Sequence, residues 1–295
     1  MKRSLFVLSV GLLLSTSALA GNWNYAQNPS ASAYGTYQKP VACPEEAQQE
    51  ATSPVRKKHA YRHKSEYRMG NPLYHPRRGQ TVLTGGASYY YTPREEKIGQ
   101  DKTTGWTVDP AVELGLTNKL SLYANGEYGR FRTRTNYGPE KFSQYDAAVG
   151  VRYLLASADG FDFNASAGLY YSKERVREYG TLARRTGSDV GIQVGKKIQN
   201  VTPYFGVGFK TDFWSKRHSS NGTDTYINPG VYIDLTKALS LNLNYTSVVH
   251  GDAMYRAIFD VYASNNVMFS FGGFIIHPET DKDTYGATAA VKVAF

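Results

Sequence analysis

The chain ends in Tyr285-Gly286-Ala287-Thr288-Ala289-Ala290-Val291-Lys292-Val293-Ala294-Phe295, and this stretch decides its fold. Side chains of an extended strand alternate between its two faces. One face of the stretch therefore carries Tyr285, four apolar residues (Ala287, Ala289, Val291 and Val293) and Phe295, whereas the other carries Gly, Ala, Thr288 and Lys292. The stretch predicts a strand with one apolar face and one small or polar face.

A terminal aromatic residue after alternating apolar positions resembles the closing strand of bacterial outer-membrane β-barrels. In that family the terminal pattern is the assembly signal, which the resemblance assigns to Tyr285, Val291, Val293 and Phe295. The resemblance also implies a barrel-assembly machinery as a partner. The alternative is an edge strand of a soluble sandwich, but the same pattern recurs upstream and favours the barrel.

The alternation continues from about Gln80 to the end of the chain. It is clearest in Leu239-Ser240-Leu241-Asn242-Leu243-Asn244-Tyr245-Thr246, where Leu and Tyr face one way and the polar residues the other. The predicted strands are 80–91, 104–116, 119–131, 142–155, 161–173, 184–197, 202–214, 223–235, 239–249, 255–263, 266–277 and 284–295. They predict an all-β fold, a closed antiparallel transmembrane β-barrel of about twelve strands, with ten or fourteen as alternatives.

The connections between these strands alternate in length. Short ones are predicted at 117–118, 156–160, 198–201, 236–238 and 264–265, and longer, charged ones at 92–103, 132–141, 174–183, 215–222, 250–254 and 278–283. Outer-membrane barrels place short turns in the periplasm and long loops outside the cell. The resemblance therefore implies that the N-terminal arm and the C-terminus are both periplasmic.

Composition is compatible with a membrane barrel. The 295 residues include 24 Tyr and 28 Gly, and a mean hydropathy of −0.46 does not exclude a barrel, because only every second residue of a strand meets lipid. No apolar run of about 18 residues, the length of a spanning helix, follows the first twenty residues. The single cysteine, Cys43, gives no internal disulfide and no metal or redox motif.

Two segments precede the predicted barrel. Residues 1–20 have a basic start, a short apolar core and Ala18-Leu19-Ala20 at the end, which predicts a signal peptide and export. Residues 21–79 have no period and predict a mostly disordered periplasmic arm, basic in its second half. That arm is interpreted either as attracted to anionic lipid, cell wall or lipopolysaccharide, or as a solvated linker. Nucleic acid is not expected as a partner of an exported chain.

Charged residues on the inward faces are the first candidate site. The predicted lumen-lining residues are Asp109, Glu113, Glu127, Asp146, Arg152, Asp162, Lys210, Asp212, Asp234, Arg256 and Asp260. They fit a polar channel for a small hydrophilic solute, or side chains that pair with one another and fill a narrow barrel. Barrels of eight strands are filled and those of sixteen hold water, so about twelve strands leave both interpretations open.

Basic residues cluster at the predicted outer ends of the strands. They are Arg130, Arg132, Arg134, Lys141, Arg175, Arg177, Arg184, Arg185, Lys216 and Arg217. Arg binds phosphate groups well, and lipopolysaccharide carries them. Ordinary contact with outer-membrane lipids is one interpretation, and a dedicated surface-adhesion or lipopolysaccharide-binding site is the other.

A third candidate is His218-Ser219-Ser220-Asn221-Gly222, which resembles a stretch of two outer-membrane lipid hydrolase families, the phospholipase A barrels and the lipid A deacylases. The resemblance implies Ser220 as nucleophile and His218 as base. It covers five residues, and none of Asp224, Asn228 or Asp234 continues either motif. Ser-Asn-Gly is also ordinary turn sequence.

The sequence thus predicts a signal peptide (1–20), an arm (21–79) and an outer-membrane barrel (80–295) of a Gram-negative bacterium. The expected function is non-enzymatic, a small porin-like channel or a structural barrel, with no cofactor or metal. The lipid hydrolase is the alternative and the lipopolysaccharide-binding or adhesion barrel the third hypothesis. An autotransporter-type translocator is disfavoured, because the arm is short for a passenger.

Overall fold

The structure, a computed structural model, describes residues 67–93, 102–135, 138–158, 160–176, 180–216, 223–249, 251–278 and 282–295. All of these belong to one compact unit. The predicted signal peptide and residues 21–66 of the predicted arm lie outside the described residues. The division of the chain into these segments therefore stays a prediction.

The described residues form strands connected in chain order. Their bounds are β1 Thr81–Thr92, β2 Thr103–Gly115, β3 Leu120–Thr135, β4 Gly138–Ala158, β5 Phe161–Val176, β6 Gly180–Lys196, β7 Val201–Lys216, β8 Thr223–Asp234, β9 Leu239–Val248, β10 Ala253–Ser264, β11 Val267–His277 and β12 Thr284–Ala294. Each pairs antiparallel with its neighbour, and β1 also pairs with β12, so that this part of the chain is a closed barrel of twelve strands. The predicted fold is confirmed.

The closure lies between the first and last strands. Their register runs from Val82↔Ala294 to Tyr91↔Tyr285. At its end, the Thr81 amide donates to the Phe295 carbonyl oxygen at 3.2 Å, and the Phe295 amide donates to that of Thr81 at 2.9 Å. These bonds satisfy the edge groups that an open sheet would expose to lipid.

Burial alternates along every strand. In β12, Tyr285 and Val291 are exposed on the outer surface, whereas Lys292 and Ala294 are buried inside. The outer surface carries large apolar side chains such as Leu169 and Phe271, as expected of a lipid-facing surface. The face alternation read from the C-terminal sequence is therefore the one that the barrel has.

Several strands are longer than predicted at the end of the barrel where the long loops lie (the loop end). Strands β3 and β4 continue to Thr135 and from Gly138, with Arg132 paired to Lys141. Strands β5 and β6 continue to Val176 and from Gly180. The charged residues were interpreted as loop, but a hairpin that extends beyond the hydrocarbon layer can carry charge on both faces.

Tyrosine side chains cross the inner wall where a neighbouring strand has glycine. The Tyr204 ring lies so close to Gly230 that a Cβ atom there would collide with it and with the Leu243 carbonyl oxygen. The Tyr204 hydroxyl donates to Asn242 Oδ1 at 2.8 Å. Glycine thus lets a buried tyrosine lie flat on the wall and fill part of the lumen.

No helix among the described residues is long and apolar enough to cross a membrane.

Candidate functional site

The charged residues predicted to line the lumen all lie at inward positions of their strands. Glu127, Asp146, Arg152, Arg256 and Asp260 are buried, and the others are half-buried. The structure divides them into two groups. Asp109, Glu113, Glu127, Arg152, Arg256 and Asp260 surround one cavity, whereas Asp146, Asp162, Lys210, Asp212 and Asp234 lie elsewhere on the wall.

The second group includes side chains with specific partners. Asp212 accepts from the Tyr170 hydroxyl and lies 3.9 Å from Arg185, and Lys210 lies 4.3 Å from the centre of the Tyr170 ring. Tyr226 donates to Asp189 at 3.1 Å. These pairs, together with the wall tyrosines, fill the part of the lumen along β5–β8.

Residues 67–80, which the sequence placed at the end of the arm and at the start of the first strand, are called the luminal segment below. The segment runs inside the barrel as far as Pro76 and reaches the exposed rim at Arg77 and Arg78. Arg68 fixes the start of this segment at the end with the short turns (the turn end). Its guanidinium donates to the carbonyl oxygens of Thr236, at 3.0 Å, and Lys237. It also lies 3.4 Å from Asp234 and 3.6 Å from the centre of the Tyr262 ring.

Further hydrogen bonds join the luminal segment to different sides of the wall. Asn71 Nδ2 donates to Thr202 Oγ1 of β7 at 3.1 Å. The Gly70 amide donates to the Tyr262 hydroxyl of β10 at 3.0 Å, and Lys292 Nζ of β12 donates to the Met69 carbonyl oxygen at 3.3 Å. Arg152 of β4 donates to the Tyr74 carbonyl oxygen at 3.3 Å. The segment thus spans the lumen from wall to wall.

Apolar packing adds to these bonds. Met69 packs with Val82, Met268 and Ala294, and Leu73 is buried against Gly195. The arm was predicted to be mostly disordered, but its described end has a defined path and a buried apolar side. The few apolar residues of this segment are interrupted by Pro72 and Pro76 and do not repeat at the spacing of a helix or a strand. An ordered structure could therefore not be predicted for it.

His75 is buried in the luminal segment, and neither ring nitrogen has a hydrogen-bond partner within the described chain. Burial lowers its pKa to about 4; Glu113 opposes this shift and Arg152 adds to it. Burial also raises the pKa of Tyr74 to about 12, helped by Glu113. The packed segment therefore holds a neutral imidazole at neutral pH.

An apolar cluster lies in the lumen at the loop end. It consists of Tyr90, Phe131, Phe142, Val176, Met254, Phe274 and Ile276 and is called the apolar cap below. Phe131 and Phe142 stack with centres 4.8 Å apart, and Tyr90 contacts Phe274 at 5.0 Å. This cluster was not predicted from the sequence. Inward-facing aromatic residues near the ends of β1, β3 and β11 could have indicated it.

A cavity of about 140 Å³ lies between the luminal segment and the apolar cap. Met69 and Tyr74 line it from the segment, and Tyr90 and Phe274 line it from the cap. The wall between them is mixed. It has apolar residues such as Val82 and Ile258, and its polar residues are Asp109, Asn125, Glu127, Arg152, Arg256, Asp260 and Lys292. Glu113 and Arg152 form an ion pair of 3.2 Å in this wall. The lumen thus contains a chamber with charged side chains in its wall, lined on one side by the luminal segment and on the other by the apolar cap.

The outer surface near the loop end carries aromatic and basic residues. Trp106, Tyr128 and Tyr145 form a row with ring centres 5.7 and 4.9 Å apart. Above them, Arg130 is paired to Ser143 and Ser143 to Arg175 across neighbouring strands. The outward basic residues Arg130, Arg132, Arg134, Lys141, Lys173, Arg175 and Arg184 are called the basic patch below.

His218 and Ser220, the residues of the hydrolase hypothesis, lie outside the described residues, as do Arg177 and Arg217. The hydrolase hypothesis therefore stays a prediction. Within the part of the chain that the structure describes, no group of three or more His, Cys, Asp or Glu side chains could hold a metal ion.

The chain has the fold of the bacterial outer-membrane β-barrels, a class that includes channels and autotransporter transport units. This fold supports a location in the outer membrane of a Gram-negative bacterium.

Two solved structures show the likeness. An outer-membrane channel from Pseudomonas putida F1 is similar with a TM-score of 0.55 and 10% identity, over 76% of this chain and 98% of that chain. The transport unit of the autotransporter AIDA-I from Escherichia coli is similar with a TM-score of 0.50 and 9% identity, over 76% of this chain and 92% of that chain. No family model and no curated protein sequence matches. Identities this low show the fold alone.

Proposed function

We propose that the protein is a non-enzymatic outer-membrane channel for a small hydrophilic solute and that the described conformation is its closed state. The observation that carries this proposal is the chamber between the luminal segment and the apolar cap, whose wall carries seven charged side chains (Asp109, Glu113, Glu127, Arg152, Arg256, Asp260 and Lys292). A barrel that served only as structure would gain stability from a filled lumen, since an unfilled cavity costs packing energy. A chamber lined by charges instead suits a hydrated solute.

The luminal segment is suited to be the movable barrier. Arg68, Asn71 and Gly70 hold its first part through hydrogen bonds in which at least one partner is a side chain. Backbone bonds with the wall join its end, at Gly79 and Gln80, to Gly115 of β2. The bonds of the first part can break without opening the sheet. Because residues 67–80 continue directly into β1, release would leave the barrel closed and the segment tethered.

The apolar cap suits the second barrier. Narrow apolar constrictions in channels exclude water and ions without filling the whole cross-section. The side chains of Phe131, Phe142 and Phe274 converge here from β3, β4 and β11. In the proposed open state these rings rotate towards the wall.

Single-channel conductance in a planar bilayer tests the proposal. The refolded chain without residues 1–20 is expected to show rare openings, and the same chain that also lacks residues 21–78 is expected to show frequent, discrete steps. Arg68→Gln should raise the open probability, because it removes the contacts to Asp234 and the Thr236 carbonyl. Arg77→Gln is the matched control, since Arg77 is exposed in the same segment. Silence of all four proteins would overturn the channel proposal in favour of a filled, structural barrel.

The orientation in the membrane is part of the proposal. The luminal segment enters at the turn end, and the C-terminal Phe295 bonds to Thr81 at the same end. We therefore place the arm and the C-terminus in the periplasm. In intact cells, a membrane-impermeant maleimide should label Asp283→Cys in a long loop but not Asn118→Cys in a short turn, both in a Cys43→Ser background. The reverse labelling would invert the orientation.

A second candidate function, binding of lipopolysaccharide, is favoured by the basic patch. Its guanidinium and ammonium groups lie on the outer surface directly above an aromatic row, where lipid phosphates meet an outer-membrane barrel. Replacing Arg132, Lys141 and Arg175 by Gln should weaken binding of lipopolysaccharide to the detergent-solubilised protein. The matched control replaces Lys119, Lys196 and Lys237 at the turn end. Equal binding by both triple variants would remove this candidate.

A further inference from the structure

The inner face of the barrel carries a row of carboxylates, of which Asp109 and Glu127 line the chamber and Asp146 lies beside it. Glu127 of β3 and Asp146 of β4 are directly paired across the strands. The pairs Val108↔Tyr128 and Ala111↔Asn125 on either side set Asp109 of β2 opposite Glu127. Adjacent strands are about 4.8 Å apart, so three acidic side chains face the lumen side by side.

Two of the polar side chains in this wall lack hydrogen-bond partners among the described residues. Both carboxylate oxygens of Glu127 are without one, although its exposure is only 4%. The amide oxygen and nitrogen of Asn125 are also without one at 8% exposure. Asp146 differs, because Gln144 donates to it at 2.6 Å. A buried carboxylate without partners is costly, so Glu127 and Asn125 are the residues that a bound group would satisfy.

The space in front of these residues is kept open by a small neighbour. Gly86 of β1 faces the chamber next to Asp109, and a Cβ atom at Gly86 would lie only 3.3 Å from Asp109 Oδ2. Both residues line the cavity together with Asn125 and Glu127. A volume of about 140 Å³ gives room for about ten non-hydrogen atoms, since one water-sized position needs roughly 10–15 Å³.

We infer that this wall of the chamber, formed by Asp109, Asn125 and Glu127, binds a small protonated amine that also carries a hydroxyl group. The ammonium group donates to the Glu127 and Asp109 carboxylates, and the hydroxyl exchanges hydrogen bonds with the Asn125 amide. Tyr90 and Phe274 also line the chamber, and aromatic rings attract cations. An organic cation fits better than a metal ion, because the described residues offer no group of three metal-ligating side chains.

This inference rests on the proposed function, because it names the class of solute that the channel would carry. Binding and conduction are nevertheless measured separately. If amine binding is found without conductance, the site stands and the channel proposal fails. If conductance is found without amine binding, the channel stands and this inference fails.

The test is isothermal titration calorimetry on the refolded full-length mature chain in detergent, with 3-amino-1-propanol as the probe. Its neutral and anionic analogues, 1,3-propanediol and 3-hydroxypropanoate, should not bind measurably. Glu127→Gln keeps the shape and removes the charge, so amine affinity should fall roughly 10- to 100-fold, as for loss of a charged hydrogen bond. Glu174→Gln is the matched control, because Glu174 faces the lumen with 5% exposure but does not line the cavity.

Three outcomes would overturn the inference. One is absence of amine binding to protein whose heat-modifiable migration shows a folded barrel. Another is an equal loss of affinity in Glu127→Gln and Glu174→Gln, which would indicate a general effect of lumen charge. The last is equal competition by KCl at the same concentration, which would indicate a simple counter-ion. Amine binding that is selective and sensitive to Glu127 alone supports it.

Discussion

Lys292 in the last strand donates a hydrogen bond to the carbonyl oxygen of Met69, 223 positions earlier in the sequence, at 3.3 Å. Lys292 is buried, and it lies beside the inward carboxylate Asp260. The ammonium group thus links the strand that closes the barrel to the segment inside it. The same strand that closes the barrel with β1 therefore also holds the luminal segment in place.

Tethering the luminal segment should hold the channel closed. Asn71 and Thr202 are both buried, with their side-chain atoms 3.1 Å apart. In a Cys43→Ser background, Asn71→Cys and Thr202→Cys joined by a short methanethiosulfonate cross-linker should abolish conductance steps in a planar bilayer. A reducing agent should restore them, because it cleaves the link and frees the segment.

The control for this tether is Asn71→Cys alone, treated in the same way, which should conduct before and after reduction. Unchanged conductance of the cross-linked double variant would contradict the assignment of residues 67–80 as the movable barrier. The cross-link itself is verified by its protection from a maleimide.

Acidification should release the luminal segment. The pKa of His75 is about 4 in the packed segment, against about 6.5 for a solvated imidazole. The released segment therefore binds a proton below pH 6.5, whereas the packed one does so only near pH 4. Among the neighbouring groups, Glu113 raises the pKa of His75 and Arg152 lowers it. The adjacent Tyr74 stays neutral over this range, since its pKa is about 12. We expect the open probability to rise by about twentyfold between pH 7 and pH 5.

His75→Phe keeps the ring but removes the titration, so its open probability should change much less over the same range. His277, which is exposed and bonded to Asp283, gives the control variant His277→Phe, with the pH response retained. A fall in open probability on acidification of the unmodified protein would show that the sign of this coupling is wrong.

Packing of tyrosine over glycine should make Gly230 intolerant of a side chain. In Gly230→Ala, the new Cβ atom collides with the Tyr204 ring and the Leu243 backbone. We expect a loss of about 1–3 kcal/mol in the free energy of unfolding, typical of overpacking. Gly85→Ala is the control, because its Cβ atom would lie 4.0 Å from Val291. Denaturant unfolding in detergent, followed by tryptophan fluorescence, measures both.

Removal of Phe295 should slow barrel closure. Its backbone exchanges two hydrogen bonds with Thr81, and its side chain is 70% exposed on the outer surface. A chain ending at Ala294 should show a smaller folded fraction in lipid vesicles, read from heat-modifiable migration in gels. Phe269→Ala, another exposed lipid-facing aromatic, should fold like the unmodified chain. Equal folding of the two variants would remove the special role of the terminal residue.

The barrel could be predicted because its signal is repeated. Each strand must face lipid on one side, and a period of two is visible even where single residues are uninformative, as in Leu239 to Thr246. Inward placement of Glu127 or Asp260 followed from the same parity. Charge at the ends of β3 and β4 misled the strand bounds, since Arg132 and Lys141 pair across a protruding hairpin.

The candidate site could be predicted only in part. The alternation of side chains along β3 shows that Glu127 faces inward. It does not show that the carboxylate has no hydrogen-bond partner among the described residues. Nor could sequence show that Leu73 and His75 pack in the lumen, because their neighbours Gly195, Glu113 and Arg152 lie on strands far from them in the sequence. Contacts across the lumen have no sequence period.

Pairing of β1 with β12 has a topological consequence for biogenesis. Residues 67–80 emerge from the ribosome before every strand of the wall, yet the seam that encloses them forms last. Both ends of this segment lie at the turn end, with Arg68 bonded to the Thr236 carbonyl and Gly79 to that of Gly115, so the segment can enter and leave through that one mouth even after the seam has closed. In the proposed channel the barrier is covalently attached to the wall, because residues 67–80 continue into β1. One molecule could therefore close repeatedly without recruiting a second.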